Sequence, residues 1–288
     1  VEIGAVSIAR QNWINTDIVL VLDTTGSMKD TPKGDKQSKI QSLRNAVMSL
    51  YDELTQAQSD LAARGLRLRY GIVPYSSAVN VGRLLIAAEP SGTHYVRRNA
   101  PYYSCLSSGW NGCNSYGEKN VDVSTLIASA TNWDGCIEER QTVTTITSAS
   151  GYTIPAGAKD LNINLVPTTD VTTQWPAYLP ALVDRKSQVA CPTEAVRLKS
   201  WNRADLKTYV DKLTPDGGTY HDIGMIWGAR FISTGGVFAN PEEFNGAPVN
   251  RHIIFMTDGV LDTGGTLYSS YGLESYQKRV SGGGSDLN

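Results

Sequence analysis

Two apolar runs, each stopping at a turn that carries an aspartate, constrain this chain more than any other feature. Asp17-Ile18-Val19-Leu20-Val21-Leu22 is apolar throughout after its first residue and stops at Asp23, and Ile253-Ile254-Phe255-Met256 stops at Thr257-Asp258-Gly259. A strand with one wet face alternates polar and apolar residues, whereas an unbroken run suits a strand covered on both faces, as in a parallel sheet between helices. The first run breaks into Asp23-Thr24-Thr25-Gly26-Ser27, which is turn chemistry. The stretches between the runs agree with an α/β fold. From residue 38 to about 64, Ile40, Leu43, Val47, Leu50, Leu54, Ala57 and Leu61 recur at helical spacing, and Gly65 is placed to end the helix. Leu66, Leu68, Tyr70 and Ile72 then alternate with Arg67, Arg69 and Gly71, which predicts a strand with one wetter face. Asn202 is a good N-cap for a helix carrying Leu206, Val210 and Leu213, and a second helical stripe follows with Ile223, Ile226, Trp227 and Phe231.

Between these halves the pattern changes. Residues 82–201 are rich in Ser, Thr, Asn, Gly and Tyr, and they hold all four cysteines and four of the six tryptophans. We therefore expect 16–81 and 202–288 to be the two parts of one α/β domain, split by a β-rich or irregular insertion at 82–201. Within it, residues 142–154 and the alternating Leu161-Asn162-Ile163-Asn164-Leu165 read as exposed strands. After Gly259 the chain is dominated by glycine, and the pattern predicts an incomplete set of closing elements there.

The cysteines bear on the compartment. No Cys-x-x-Cys pair occurs and the chain has three histidines, so disulfides are a stronger reading than a zinc site or four reduced buried thiols. The favoured connectivity is Cys105 with Cys113, across Gly109-Trp110-Asn111-Gly112, and Cys136 with Cys191. On the loop-entropy account these contribute about 2.6 and about 4.2 kcal/mol, and such bridges persist in oxidising surroundings. A formal charge of −2 and a pI near 6.0 remove the basic footprint of a nucleic-acid binder, and no apolar run approaches the ~20 residues of a bilayer span.

The chemistry concentrates at the ends of the two runs. Asp23, Thr25 and Ser27 stand at alternate positions, Thr219 follows Gly217-Gly218 just before a helix, and Asp258 follows the second run. In open α/β sheets the carboxyl ends of the strands form the ligand edge. Carboxylates and hydroxyls are hard oxygen donors suited to Mg²⁺, with Mn²⁺ or Ca²⁺ as the other divalent choices. Asp30, Asp35, Asp216, Asp222 and Asp262 read as solvated charges, and His221 as a helix-start residue more than an orienter of metal-bound water. The aromatic group Tyr102, Tyr103, Trp110 and Tyr116 reads equally as a ligand surface or as the core of a compact subdomain.

Asp23-Thr24-Thr25-Gly26-Ser27-Met28 after a buried strand resembles the Asp-x-Ser-x-Ser motif of von Willebrand factor A domains, with Thr25 replacing the usual serine. Thr219 and Asp258 match that family's threonine and second aspartate. Within it the chain looks like bacterial Flp/Tad pilus-assembly proteins of the TadE/TadG type. The likeness rests on residues 70–76, on Trp133-Asp134-Gly135-Cys136-Ile137-Glu138-Glu139-Arg140, on Cys191-Pro192, and on Gly217-Gly218-Thr219 running into Gly224-Met225-Ile226-Trp227-Gly228. The resemblance implies a Rossmann-like sheet flanked by helices and a metal-ion-dependent adhesion site at Asp23, Thr25, Ser27, Thr219 and Asp258. It also implies a partner protein that offers a carboxylate, a pilus or envelope component, and a periplasmic or cell-surface location with a membrane anchor before the domain. An enzyme is not expected. Aspartate-nucleophile phosphotransferases want a second aspartate where Thr25 stands, and no nucleophile elbow, phosphate-cradling loop or His-Glu-x-x-His motif occurs. A structural envelope role with a vestigial or fold-stabilising metal site is the alternative, ahead of metal-assisted hydrolysis.

Overall fold

The computed structural model describes residues 13–144, 146, 151, 153–259 and 261–281. In chain order its elements are β1 (Asn15–Asp23), α1 (Lys39–Ala63), β2 (Leu68–Tyr75), β3 (Val79–Asn80), α2 (Gly82–Ala87), β4 (Asn99–Gly109), β5 (Gly112–Asp122), α3 (Ser124–Ile127), β6 (Cys136–Ile137), β7 (Val196–Lys199), α4 (Arg203–Val210), α5 (His221–Ile232), β8 (Glu243–Phe244), β9 (Ala247–Met256) and α6 (Glu274–Gln277). The main sheet runs β6-β3-β2-β1-β9-β8, with β7 also on β2. Its three long strands, β2, β1 and β9, are parallel, and the four short ones are antiparallel additions. This is a mixed α/β architecture with a mostly parallel centre.

Alternation along β1 divides the core. Ile18, Leu20 and Leu22 point to α1 and α4, against Ile40, Leu43, Val47, Leu206 and Val210. Val19 and Val21 point to the other face, against Ile223, Trp227 and Phe231 of α5 and against insertion residues such as Trp133 and Trp175. Both faces are covered, which is why the first run carries no polar alternation. Helix α1 starts where Ser38 accepts a hydrogen bond from the Gln41 amide and ends at Gly65. There a φ of +71° lets Gly65 N–H reach Ala62 O and Leu66 N–H reach Leu61 O, the paired closure that glycine permits.

Three expectations are corrected. Strand β2 has no wet face: the Arg69 guanidinium donates to both oxygens of the fully buried Asp17 at 2.8 and 2.6 Å, so the polar positions of the alternation are spent on an ion pair. Ile253, Ile254, Phe255 and Met256 are half-buried, because β9 meets β8 only at its start and its far edge has no partner strand among the described residues. Leu161-Asn162-Ile163-Asn164-Leu165 is a run of turns. Asn164 N–H donates to the Asn162 side chain, and the carbonyls of Asn162 and Leu165 accept from Arg140, so the segment has no ladder to offer a neighbouring strand. Of residues 142–154, positions 145, 147–150 and 152 lie outside the described residues, and the described ones form no strand.

The longest regular structure among the described residues of the insertion is instead the hairpin β4–β5, closed across Cys105–Cys113, beside the short α2, α3, β6 and β7. The second bridge, Cys136–Cys191, completes the connectivity expected from the sequence. The aromatic group divides: Tyr102 is core, donating to the Ala177 carbonyl at 2.8 Å, whereas Trp110 at the hairpin turn is 102% exposed. Deeper in, Glu139 joins the insertion to α5. Its carboxylate accepts from Trp227 Nε1 at 2.7 Å, Trp175 Nε1 at 3.2 Å and both terminal nitrogens of Arg230 at 2.8 and 3.1 Å, with all four side chains buried. After β9 the glycine-rich chain is ordered by packing: residues 261–281 cross the carboxyl edge of the sheet onto the insertion and bury Leu267, Tyr268, Tyr271 and Leu273. Residue 260 and residues 282–288 lie outside the described residues. Among the described residues no helix is long and apolar enough to cross a membrane. The two disulfides are compatible with a periplasmic or extracellular setting.

Candidate metal centre

The parallel register aligns three chain-distant loops. Asp23 pairs with Tyr75 across β1 and β2, and Leu22 pairs with Met256 across β1 and β9, so Asp23, Tyr75 and Thr257 leave the sheet on one edge. Asp23 is fully buried and its carboxylate is held on three sides. Oδ1 accepts from the Thr25 amide at 2.9 Å, while Oδ2 accepts from the Thr257 hydroxyl at 2.7 Å and the Tyr75 hydroxyl at 3.3 Å. Burial first, and the Asp23 charge second, push the Tyr75 phenol far above its ordinary range, so it stays a neutral donor. The Tyr75 oxygen in turn lies 2.8 Å from Nδ1 of His221.

Thr25 turns the chain into a short 3₁₀ segment, Gly26–Lys29, which carries Ser27. The Thr25 and Ser27 hydroxyls lie 3.2 Å apart. The loop bearing Thr219 is tied to this one through the backbone: Gly26 N–H donates to Gly217 O at 2.8 Å, and Asp216 N–H to Thr24 O at 2.9 Å. Gly217 has φ +79°, and a Cβ on it would stand 2.5 Å from Ala190, so the approach requires glycine at that position. Thr219, 2% exposed, is fixed by its N–H donating to Asp262 O at 2.7 Å. Asp262 therefore meets the site through its carbonyl.

Asp23, Thr25 and Ser27 are thus linked directly, while Thr219 and Asp258 arrive through their loops, the latter beside Thr257. The Asp258 carboxylate lies 2.8 Å from the ammonium of Lys39, the first residue of α1. That hydrogen bond, outweighing partial desolvation, raises the lysine above its ordinary pKa, and the charges of Asp258, Asp30 and Asp23 add to it. The sequence pattern alone did not single out Lys39, Tyr75 or Thr257 for the site. Tyr75 and Thr257 follow from strand register, and the signal for Lys39 was a lysine opening the helix that succeeds the Asp-x-Thr-x-Ser turn.

Among the described residues no group of three or more His, Cys, Asp or Glu is gathered to hold a metal ion. This set differs in kind, with two carboxylates and three hydroxyls. Neighbouring corners of an octahedron with bonds of about 2.1 Å are about 3.0 Å apart. The 3.2 Å between the Thr25 and Ser27 oxygens matches that spacing, and the oxygen-only donor chemistry suits Mg²⁺. Thr25 is fully buried, its hydroxyl meeting only that of Ser27 among the described residues. In donor chemistry, and in the spacing of the Thr25 and Ser27 oxygens, these residues suit a small hard cation. Comparison with protein-family models, curated proteins and solved structures finds no match for the chain.

Proposed function

We propose that the protein is a non-enzymatic, metal-dependent binding module of the von Willebrand factor A type, acting in a bacterial cell envelope or in pilus assembly at the periplasmic or outer surface. When bound, Mg²⁺ (or Mn²⁺ or Ca²⁺) would supply a Lewis-acid position for the carboxylate of a partner protein. Thr25, Ser27 and Thr219 would provide hydroxyl oxygens, and Asp23 and Asp258 the balancing charge. The observation carrying this reading is the joining of three loops at one sheet edge, through Gly26 N–H to Gly217 O at 2.8 Å and the Thr257 hydroxyl to Asp23 at 2.7 Å. Such cross-links hold donors from distant parts of the chain in a fixed constellation before any ligand arrives. Calorimetric titration of Mg²⁺ or Mn²⁺ is expected to show binding to the wild type and none to Asp23→Ala. Equal binding to both would overturn the reading.

One observation favours a second reading, a structural envelope component whose site stabilises the fold. Asp23 already accepts three protein hydrogen bonds, so the carboxylate is satisfied without a metal. Under that reading, binding to envelope partners survives a chelator; under the first it does not.

A further inference from the structure

Lys39 stands where a helix least favours it. The first turn of a 25-residue helix gathers unpaired N–H groups and positive potential, which reward acidic residues, yet α1 has no acidic residue there and opens on a lysine. Its ammonium is turned to Asp258 at 2.8 Å, with the Asp258 side chain 8% exposed and that of Lys39 29% exposed. Lys39 therefore answers to the carboxylates of the loops and not to its own helix. It also has room to leave. A groove of about 560 Å³ between α1 and the end of β9, lined by Leu43, Ala46, Phe255 and Met256, is bordered by both Lys39 and Asp258.

We propose that Lys39 is a specificity-determining residue of the metal centre, an internal cation that neutralises Asp258 in the metal-free protein and must be displaced before Asp258 can serve a metal. This rests on the metal-binding reading above and deepens it. A monovalent ion offers Asp258 no more charge than the ammonium already does, and it arrives at the entropic cost of capture from solution. A divalent ion brings twice the charge and engages Asp23 and the hydroxyls at the same time. The lysine thus filters sodium and potassium from the site and sets a threshold concentration for divalent occupancy. The groove receives the displaced side chain.

The test is calorimetric titration of Mn²⁺ alone into the full chain, as wild type, Lys39→Met and Lys39→Arg, with folding checked by circular dichroism and Lys39→Gln replacing the methionine variant if that one does not fold. Each titration is run in sodium chloride and in choline chloride of equal ionic strength. Removing the charge is expected to tighten Mn²⁺ binding roughly two- to fivefold, the scale of a partly exposed ion pair, while Lys39→Arg stays near wild type. Sodium in place of choline should weaken Mn²⁺ binding in Lys39→Met and leave the wild type unchanged. Equal or weaker affinity in Lys39→Met overturns the role of the lysine and leaves the metal site standing. No binding to any of the three proteins removes the metal site, and the proposal with it.

Discussion

The parallel sheet and the seam between the insertion and α5 are both deeply buried, and different forces hold them. In β1, Val19, Val21 and Leu22 have no exposure at all, and their neighbours across the strands and on both helical layers are apolar. Where the insertion meets α5 lie instead two tryptophan N–H groups and an arginine converging on Glu139, with the Arg140 guanidinium 4.1 Å from the ring centre of Trp175. Burying an apolar side chain is favourable at any orientation, whereas a buried charge is tolerated only when its partners are in place. The sheet should therefore accept conservative apolar change, and the insertion should react sharply to the loss of one charge.

The largest expected effect tests that difference. Arg230→Met keeps much of the side-chain volume and leaves Glu139 charged and buried, which should cost about 3–5 kcal/mol in urea unfolding at neutral pH. Leu20→Val in the sheet, removing little volume, should cost about 1 kcal/mol. If the two variants lost equal stability, the contrast between the regions would fail. The pH dependence follows the same pair. Burial raises the Glu139 carboxyl, but the Arg230 charge and hydrogen bonds outweigh it and hold the group below its ordinary value of 4.5. A depressed carboxylate contributes stability that is present above 4.5 and is lost as the pH falls through the lower folded value. Acid unfolding of the wild type should steepen there, and Arg230→Met should lack that step.

The same contrast explains what was legible in the sequence. Helix α1 with its end at Gly65, the N-cap of α4 at Asn202 and the run of β1 are all stated by local pattern, because one face or two faces of a regular element repeat along the chain. Asp23 and Asp258 were legible for the same reason, as the polar stops of apolar runs. Tyr75 and Thr257 reach Asp23 only through the register of β1 with β2 and β9, and Lys39 reaches Asp258 over 219 positions of sequence, so no local pattern contains them. In the insertion, Leu161-Asn162-Ile163-Asn164-Leu165 has the alternation of a strand, but the Asn162 side chain takes the Asn164 N–H and the carbonyls of Asn162 and Leu165 serve Arg140. Side-chain claims on the backbone override periodicity there.

The two disulfides sharpen the comparison within the insertion itself. Cys136 lies in the core, pairs β6 with β3, and is joined to Cys191 across 55 positions, so opening this bridge frees a long loop that also carries Glu139. Replacing both cysteines by serine should cost about 4 kcal/mol, read as a fall in the thermal midpoint of the whole chain. Cys105–Cys113 closes 8 positions near an exposed turn. Loop entropy assigns it about 2.6 kcal/mol, yet its loss should appear as faster amide exchange confined to β4 and β5 and only a small change in the global midpoint. Equal shifts from the two bridges would mean that the hairpin is part of the cooperative core.

The smallest effect is expected at the hairpin turn. Trp110 is fully exposed while Trp133, Trp175 and Trp227 are 2% exposed or less, so one protein carries the two extremes of indole environment. Trp110→Ala removes a side chain that buries nothing, and its cost should lie within about 0.5 kcal/mol. Its optical effect should be much larger than its energetic one. Acrylamide should quench a fraction of the wild-type tryptophan emission readily, and that fraction should fall sharply in Trp110→Ala, leaving the buried indoles and the half-buried Trp13. A stability loss well above 0.5 kcal/mol, or an unchanged quenchable fraction, would show that the turn folds back onto the body and that the disulfide braces packed structure. The expected pairing, no loss of stability with loss of the accessible emission, would mean that the bridge at Cys105 orders a segment whose most apolar side chain contributes nothing to the fold that orders it.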